Sequence, residues 1–227
     1  MKARYLGHST IELDLAGTKV LFDPYISPNP LAKHIAVEDI KPDYIFLSHC
    51  HGDHVADMTK IQKNSNAQVV SIVETGSWIE KQGVAKDKIT AMNFGGKIPT
   101  KFGSAKMVYA LHTNSTPEGD YAGVPAGYVI KSNDKSIYFA GDTALTLEMQ
   151  LLADDKLDWA FLPIGGFFTM DVEDAIKAAK FINCKNIVGL HYNTFPPIEI
   201  DKNEAIRKFK DASLNLHLLE IGETINL

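Results

Sequence analysis

His49-Cys50-His51-Gly52-Asp53-His54 holds three imidazoles and one carboxylate within six residues, one residue after the apolar run 44–47. Zinc and related ions take imidazole nitrogens and carboxylate oxygens as ligands, so this composition predicts a metal site. Alternate residues of an extended segment point the same way. His49 and His51 can therefore share one ion while Asp53 and His54 reach another, and the hexapeptide predicts two adjacent metals.

The two cysteines of the chain, Cys50 and Cys184, lack the C-x-x-C spacing of zinc or redox sites. We expect no structural disulfide, and we place Cys184 in the core. Alternation along the extended segment turns Cys50 away from His49 and His51, although a role as a spare ligand stays open.

The length and composition indicate one globular domain over residues 1–227, with 45% hydrophobic and 22% charged residues. The net charge of −5 argues against a broad nucleic-acid or anionic-membrane surface, because either needs clustered Lys and Arg. No apolar stretch reaches the roughly 18 residues of a membrane span, and residues 1–7 lack the apolar core of a signal peptide. We therefore expect a soluble, cytoplasmic protein.

Three further metal-ligand types follow apolar runs typical of strands. His112 follows residues 106–111, Asp142 follows residues 136–140 and His191 follows residues 187–190. One rim of the predicted sheets could gather all the strand-end ligand types: His49, His51, Asp53, His54, His112, Asp142 and His191. Chance placement of histidines would not produce this pattern.

Other segments predict the scaffold around that rim. Residues 10–22 alternate as a β-hairpin, residues 77–82 and 145–153 indicate short helices, and residues 214–219 indicate the last strand. Residues 113–126 form a long loop that starts beside His112. A lid over the site is the favoured interpretation of this loop, and a mobile connection is the alternative.

Several ordered stretches carry a family resemblance. They are Gly7-His8-Ser9, Phe22-Asp23-Pro24, the hexapeptide at 49–54, Ala140-Gly141-Asp142-Thr143-Ala144, the runs 161–166 and 168–170, and His191-Tyr192-Asn193-Thr194-Phe195-Pro196. Together they resemble the metallo-β-lactamase superfamily over nearly the whole chain. The chain is similar in particular to the small intracellular metal-dependent hydrolases related to L-ascorbate 6-phosphate lactonase.

The resemblance implies an α+β fold, a four-layer αββα sandwich in which two mostly antiparallel sheets face each other and helices cover the outside. It implies a metal cleft along one edge of the sandwich. By the same resemblance, His49, His51 and His112 would hold a first metal. Asp53, His54 and His191 would hold a second, and Asp142 would bridge the two.

Four further residues receive supporting roles. The resemblance implies that Asp23 orients ligands by hydrogen bonds, and we place Thr169 and Asn193 with it as residues that support ligands or contact substrate. Two roles stay open for His8: a cleft-lining contact with substrate or ligand, and an ordinary hydrogen-bonded histidine in a turn. The two remaining histidines, His34 and His217, lie outside such contexts and are assigned to ordinary surface or core positions.

Two metals about 3.5–4 Å apart can lower the pKa of a bridging water and polarise a carbonyl or phosphoryl oxygen, and the resulting hydroxide is the nucleophile. We therefore predict hydrolysis of an ester, lactone or phosphoester of a small intracellular metabolite, with Asp53 orienting the water or shuttling a proton. Zinc is the expected ion, and manganese, iron, cobalt or nickel would suit the same ligands.

Two alternatives to this function stay open. They are a phosphodiesterase or nuclease of the same fold, and a non-catalytic domain in which metal binding serves stability. The expected partner is a small-molecule substrate, without membrane or nucleic acid, and association into a homo-oligomer is also an expectation.

Overall fold

The computed structural model describes residues 1–227 and contains two seven-stranded sheets. The first sheet consists of β1 (Lys2–Gly7), β2 (Thr10–Leu15), β3 (Thr18–Phe22), β4 (Tyr44–Phe46), β5 (Gln68–Ile72), β6 (Ile89–Met92) and β14 (Thr224–Asn226). Its spatial order is β14-β1-β2-β3-β4-β5-β6. The last strand of the chain thus returns to the sheet that the first strand began.

The second sheet is built from the middle and the end of the chain. It consists of β7 (Lys97–Thr100), β8 (Gly103–Tyr109), β9 (Ala126–Ser132), β10 (Lys135–Phe139), β11 (Trp159–Pro163), β12 (Asn186–Leu190) and β13 (Asn215–His217). Its order is β13-β12-β11-β10-β9-β8-β7. Apart from β14, each sheet is therefore formed by one half of the chain.

Five α-helices and four short 3₁₀ segments connect the strands. The helices are α1 (Gly52–Val55), α2 (Met58–Ser65), α3 (Val73–Lys81), α4 (Val172–Phe181) and α5 (Lys202–Asp211), and the 3₁₀ segments are Val37–Asp39, Lys86–Lys88, Leu147–Asp155 and Pro196–Ile198. None of these helices has the length and apolar character needed to cross a membrane.

The sheets are mixed, which corrects the expectation of mostly antiparallel sheets. In the first sheet β14, β1, β2 and β3 pair antiparallel, whereas β3, β4, β5 and β6 pair parallel. The second sheet has the same division, with β10 to β13 parallel. Parallel neighbours need a crossover connection. The helices α2 to α5 lie in four of the six crossovers, and the 3₁₀ segments Val37–Asp39 and Leu147–Asp155 lie in the other two. The carboxyl ends of the parallel strands consequently lie at a common edge of each sheet.

The core lies between the sheets. Phe22 of β3 stacks on Phe139 of β10 with ring centroids 4.3 Å apart, and Phe46 of β4 meets Tyr128 of β9 edge-on at 5.0 Å. All four side chains are fully buried. Two further apolar clusters lie under the helices, one with α4 and α5 on the second sheet and one with α2 and α3 on the first. The four layers of the predicted αββα sandwich are thus present.

Several predicted element boundaries were wrong. The helix predicted at 77–82 is α3, which begins four residues earlier at the exposed Val73. The segment predicted as a helix at 145–153 is the 3₁₀ segment Leu147–Asp155, where only Met149 and Leu152 are buried. The final strand predicted at 214–219 is reduced to β13.

Two short strands, β7 and β14, were missed. Each has only three or four residues and lies at the edge of its sheet. An edge strand buries little apolar surface, so its hydrophobic pattern is weak.

Candidate metal centre

Four strands deliver the predicted ligands to one edge of the sandwich. The hexapeptide at 49–54 follows β4, His112 follows β8, Asp142 follows β10 and His191 directly follows β12. Their ligand atoms form two main groups, and a third group of Asp23, His49 and His54 links the two. One main group contains His49, His51 and His112, and the other contains His8, Asp53, His54 and His191, with the ligand atoms of each group within 4.8 Å of one another.

The first group centres on His49, which is fully buried. Its Nε2 lies 3.0 Å from Nδ1 of His51, and the ring of His112 lies 5.3 Å from its own. The other ring nitrogen of His49, Nδ1, lies 2.9 Å from Ser48 Oγ, whose own proton is directed to Asp23. Nδ1 therefore donates to Ser48, and the lone pair of Nε2 faces His51. Burial lowers the pKa of His49, His51 and His112, which keeps these rings neutral, the form that binds metal.

Asp142 lies between the two groups. Its Oδ2 is 3.7 Å from Nε2 of His112, 3.4 Å from Nε2 of His54 and 3.1 Å from Nε2 of His191. Asp53 completes the second group, with Oδ2 3.9 Å from Nε2 of both His54 and His191. Ligands about 2.1 Å from a tetrahedral ion lie about 3.4 Å from each other. The observed separations of 3.1–3.9 Å fit ligands around ions.

Asp23 fixes the orientation of His54. The ring donates from Nδ1 to Asp23 Oδ2 at 2.8 Å, and the backbone N–H of Ser48 donates to Asp23 Oδ1 at 2.7 Å. Because Nδ1 is engaged by Asp23, Nε2 is the ring nitrogen left to bind a metal ion. This buried nitrogen has no hydrogen-bond partner in the structure. A buried polar atom without a partner is costly, and a metal ion at this position would satisfy it.

The charges of the second group also suit a cation. Burial lowers the pKa of His54, but the carboxylates of Asp142, Asp53 and Asp23 outweigh burial and hold it well above its usual value. Burial likewise opposes ionisation of Asp142, yet His191 and His54 keep its pKa well below the ordinary range. Burial opposes ionisation of Asp53 too, but His54 and His8 hold its pKa well below the ordinary range. Asp142 and Asp53 are therefore ionised at neutral pH, whereas burial raises the pKa of Asp23. A divalent ion would balance their charge more fully than a single imidazolium does.

The loop 113–126 is tied at one end to Cys50 of the hexapeptide and at the other to Ser48, which precedes it. The side chain of Asn114 accepts a hydrogen bond from the backbone N–H of Cys50 at 2.8 Å, and the N–H of Ala126 donates to the carbonyl of Ser48 at 2.9 Å. Its tip, residues 117–121, is exposed. The lid function stays a prediction, and any movement would have to occur at this tip.

Cys50 is directed away from the ligands, as alternation predicted. Its Sγ lies 3.5 Å from Thr75 Oγ1, and it belongs to neither group of ligand atoms. Burial raises the pKa of this thiol to about 12. Cys184 is buried as predicted, and both cysteines are free.

A tight loop after β11 packs against the chain segments that carry Asp142 and His191. The N–H of Met170 donates to the carbonyl of Thr143, and Gly165 packs so closely on His191 that an added Cβ would lie 2.1 Å from the His191 carbonyl oxygen. Thr169 lies in this loop with its hydroxyl 3.5 Å from the carbonyl of Met170. A substrate contact by Thr169 stays a prediction.

Comparison with known proteins identifies the family. The family described as the beta-lactamase superfamily domain matches residues 18–192. A metal-dependent hydrolase of Flavobacterium johnsoniae is 47% identical over 228 residues, covering 100% of both chains, and one of Thermus thermophilus is 40% identical over 227 residues, covering 100% of this chain and 99% of the relative. The structure of a metallo hydrolase from the archaeon Ignicoccus hospitalis superimposes with a TM-score of 0.89 at 33% identity, covering 99% of this chain and 97% of the other. The chain belongs to the metallo-β-lactamase superfamily.

Three other histidine and asparagine residues considered in the sequence, Asn193, His34 and His217, lie outside the two groups of ligand atoms in this superfamily member. Asn193 directs its Oδ1 to the backbone N–H of Ile200 at 2.7 Å and so shapes the loop after β12, while its substrate contact stays a prediction. His34 is exposed, and His217 packs on Trp159. Neither histidine joins the groups of ligand atoms.

His8 is fully enclosed within the metallo-β-lactamase cleft. It is 1% exposed, and its ring lies 4.2 Å from that of His191. Nε2 lies 3.0 Å from Asp53 Oδ2 and Nδ1 lies 3.0 Å from Thr194 Oγ1. Burial lowers the pKa of His8 to about 4, against the opposite effect of Asp53.

Sequence reasoning missed Ser48 and Thr194 as parts of the site. Ser48 precedes the hexapeptide and could have been suspected from that position, since a hydroxyl beside a ligand can orient it. Thr194 is 186 residues from the histidine it contacts, and no local pattern signals that pairing.

Proposed function

We propose that this chain is a dinuclear metal-dependent hydrolase that cleaves an ester, lactone or phosphoester bond of a small metabolite. The observation that carries the proposal is the position of Asp142. Its Oδ2 lies within 3.7 Å of a histidine from the first group and of two histidines from the second. A single carboxylate so placed suits two neighbouring ions better than one.

The proposed ligand sets follow the two groups except at His8, which is left out because its Nε2 lies 3.0 Å from the Asp53 carboxylate. His49, His51 and His112 hold the first ion, Asp53, His54 and His191 hold the second, and Asp142 contributes to both. The separations of the ligand atoms, the partnerless Nε2 of His54 and the ionised carboxylates support this assignment. Zinc is the expected ion, while manganese, iron, cobalt and nickel accept the same ligands.

Two divalent ions would lower the pKa of a water between them and polarise the oxygen of the bond to be broken. Within the chain, Asp53 is the group placed to orient that water or to carry a proton. Its side chain is 29% exposed, whereas the side chain of Asp142 is 3% exposed. The imidazoles are poor bases here, because metal binding occupies their lone pairs. Asp53 thus serves both as a ligand and as the polar group open to substrate.

The net charge of the chain bears on the kind of substrate. The net charge of −5 favours a small substrate over structured RNA, whose binding depends on neutralised phosphates. Small-molecule specificity would then depend on the exposed loop tips around the edge, among them residues 117–121. Cytoplasmic location and homo-oligomer formation stay predictions.

The test combines metal analysis with a substrate panel. Protein purified without added metal is analysed for bound ions, stripped with a chelator, reloaded with zinc or manganese, and assayed on lactones, phosphodiesters and thioesters. We expect turnover of one bond class that disappears on stripping and returns with metal. Turnover that survives complete stripping would contradict the proposal. Salt-dependent retardation of RNA on a gel would favour the nuclease alternative, and metal binding without turnover of any bond class would favour the non-catalytic one.

A further inference from the structure

His8 is a buried histidine at the site, and it belongs to neither of the proposed ligand sets. Its backbone has φ +55°, a left-handed conformation that side chains other than glycine rarely adopt. The carbonyl of the same residue accepts the N–H of His191 at 3.0 Å and the hydroxyl of Tyr5 at 3.2 Å. A strained residue persists only where its surroundings hold it in place, and such residues cluster at functional sites.

The ring of His8 connects two side chains from distant parts of the sequence. Asp53 Oδ2 is a carboxylate oxygen and can only accept a hydrogen bond. The His8 nitrogen that faces it, Nε2, must therefore carry the hydrogen. In the neutral ring Nδ1 is then an acceptor. The hydroxyl of Thr194 lies 3.0 Å from Nδ1, nearer than the 3.4 Å to the carbonyl of Tyr192, and donates to the ring.

The Asp53 oxygen that His8 contacts is also the one that faces His54 and His191. Asp53 Oδ2 is the atom 3.9 Å from Nε2 of both His54 and His191. Asp53 lies in the four-residue helix α1, and its side chain is 29% exposed, so packing alone constrains it less than the buried ligands. The hydrogen bond from His8 is the contact that holds this oxygen toward the ions.

We propose that His8 is a positioning residue for the second metal, that it holds the Asp53 carboxylate through Nε2–H, and that Thr194 selects the required tautomer by donating to Nδ1. The inference rests on the proposed function, because it requires the second ion. The side chain of Thr194 contacts none of the proposed metal ligands. The proposal nevertheless gives it an effect on metal binding, through its hydrogen bond to His8 and the hydrogen bond from His8 to Asp53.

The opposite arrangement has different chemistry. If His8 were itself a ligand, Nε2 would need a lone pair, the hydrogen would lie on Nδ1, and Thr194 would accept it. Loss of the Thr194 hydroxyl would then act on the metal through His8 rather than through Asp53. The two arrangements differ in whether Thr194 and Asp53 are energetically coupled.

The test uses Thr194→Val, which keeps the shape and loses the hydroxyl, and Thr194→Ser, which restores it. Chelator competition measures the affinity of each zinc equivalent, and the absorption spectrum of the cobalt-loaded protein reports ligand geometry. We expect Thr194→Val to lower the affinity for the second zinc equivalent about tenfold, with little change in the affinity for the first. We expect Thr194→Ser to stay within about twofold of the wild type. Thermal unfolding of the metal-free forms checks that both variants fold.

A double-mutant cycle with Asp53→Ala completes the test. Adding Thr194→Val to Asp53→Ala should cause no further loss of affinity for the second equivalent. A further tenfold loss would overturn the proposal in favour of direct ligation by His8. Wild-type affinity in Thr194→Val, or equal losses in the valine and serine variants, would also overturn it. A wild-type chain that binds a single equivalent would instead overturn the dinuclear proposal, and this inference with it.

Discussion

His54 and Asp23 form a buried pair in which Nδ1 of the imidazole lies 2.8 Å from Oδ2 of the carboxylate, with neither side chain exposed to solvent. The pair connects the hexapeptide to the residue that follows β3, across 31 positions of sequence. It determines which nitrogen of His54 is free to bind metal. A change at Asp23 should therefore alter metal binding without removing any proposed ligand.

Asp23→Asn should weaken metal binding about 10- to 100-fold. The carboxylate accepts hydrogen bonds from the backbone and hydroxyl of Ser48 and from His54. An amide would direct N–H groups at one of these donors, so His54 would lose its partner or turn. Chelator competition on the variant measures the change.

Asp57→Asn is the matched control for that substitution. Asp57 is also a buried aspartate, and it accepts hydrogen bonds from the backbone N–H groups of Ile26 and Ser27 at 2.7 and 2.8 Å. It contacts no proposed ligand. We expect lower thermal stability with nearly unchanged metal affinity, and equal affinity losses in the two variants would contradict the role given to Asp23.

Cys50 should be inert in the native protein despite its place between two ligands. With a thiol pKa raised by burial to about 12, only about one molecule in ten thousand carries the reactive thiolate at pH 8. Alkylation at that pH should therefore label neither Cys50 nor Cys184 until urea unfolds the chain, when both react. Cys50→Ser should retain its metal content, and metal loss in this variant would revive the spare-ligand alternative.

Gly165→Ala should cost about 3 kcal/mol of unfolding free energy and lower metal affinity as well, because the new Cβ would meet the carbonyl of His191 at 2.1 Å. Gly189→Ala is the comparison. There the new Cβ would meet the terminal carbons of Ile164 and Leu218 at 2.7 Å, and flexible side chains can move. About 1 kcal/mol and unchanged metal affinity are expected for that variant. Urea unfolding of the metal-free proteins provides the comparison, and a larger loss in Gly189→Ala would show that the His191 loop is not rigidly held.

His51→Ala and Asp142→Ala should differ in the metal they retain. His51 belongs only to the first proposed set, so its loss should leave one ion bound. Asp142 contacts histidines of both groups, and its loss should weaken the binding of both ions. Turnover should be abolished in both variants. Metal content by elemental analysis distinguishes them, and identical retention of one ion would argue against a bridging Asp142.

Much of this architecture could be predicted because the informative residues are local. An apolar run followed by a ligand type marks a strand that ends at the site, and His112, Asp142 and His191 each follow such a run. The alternation that turned Cys50 away from its neighbours is equally local. Short-range patterns of this kind can be recognised in the sequence without knowledge of the tertiary fold.

The remaining features depend on distant contacts. The contact of Thr194 with His8 arises only when β1 and β12 have been brought to the same edge. Half of the strand pairs are parallel, and this pairing depends on the crossover connections rather than on strand sequence. The 3₁₀ geometry of Leu147–Asp155 was also beyond prediction, because Leu147 and Leu151 give an apolar pattern although both are more than 70% exposed.

The central claim is that one chain holds two neighbouring ions, and a zinc titration of the stripped protein followed by native mass spectrometry measures this directly. The account predicts that the chain saturates at two zinc ions, with the one-ion species giving way to the two-ion species. Saturation at a single ion per chain, with no second ion at excess zinc, would contradict it.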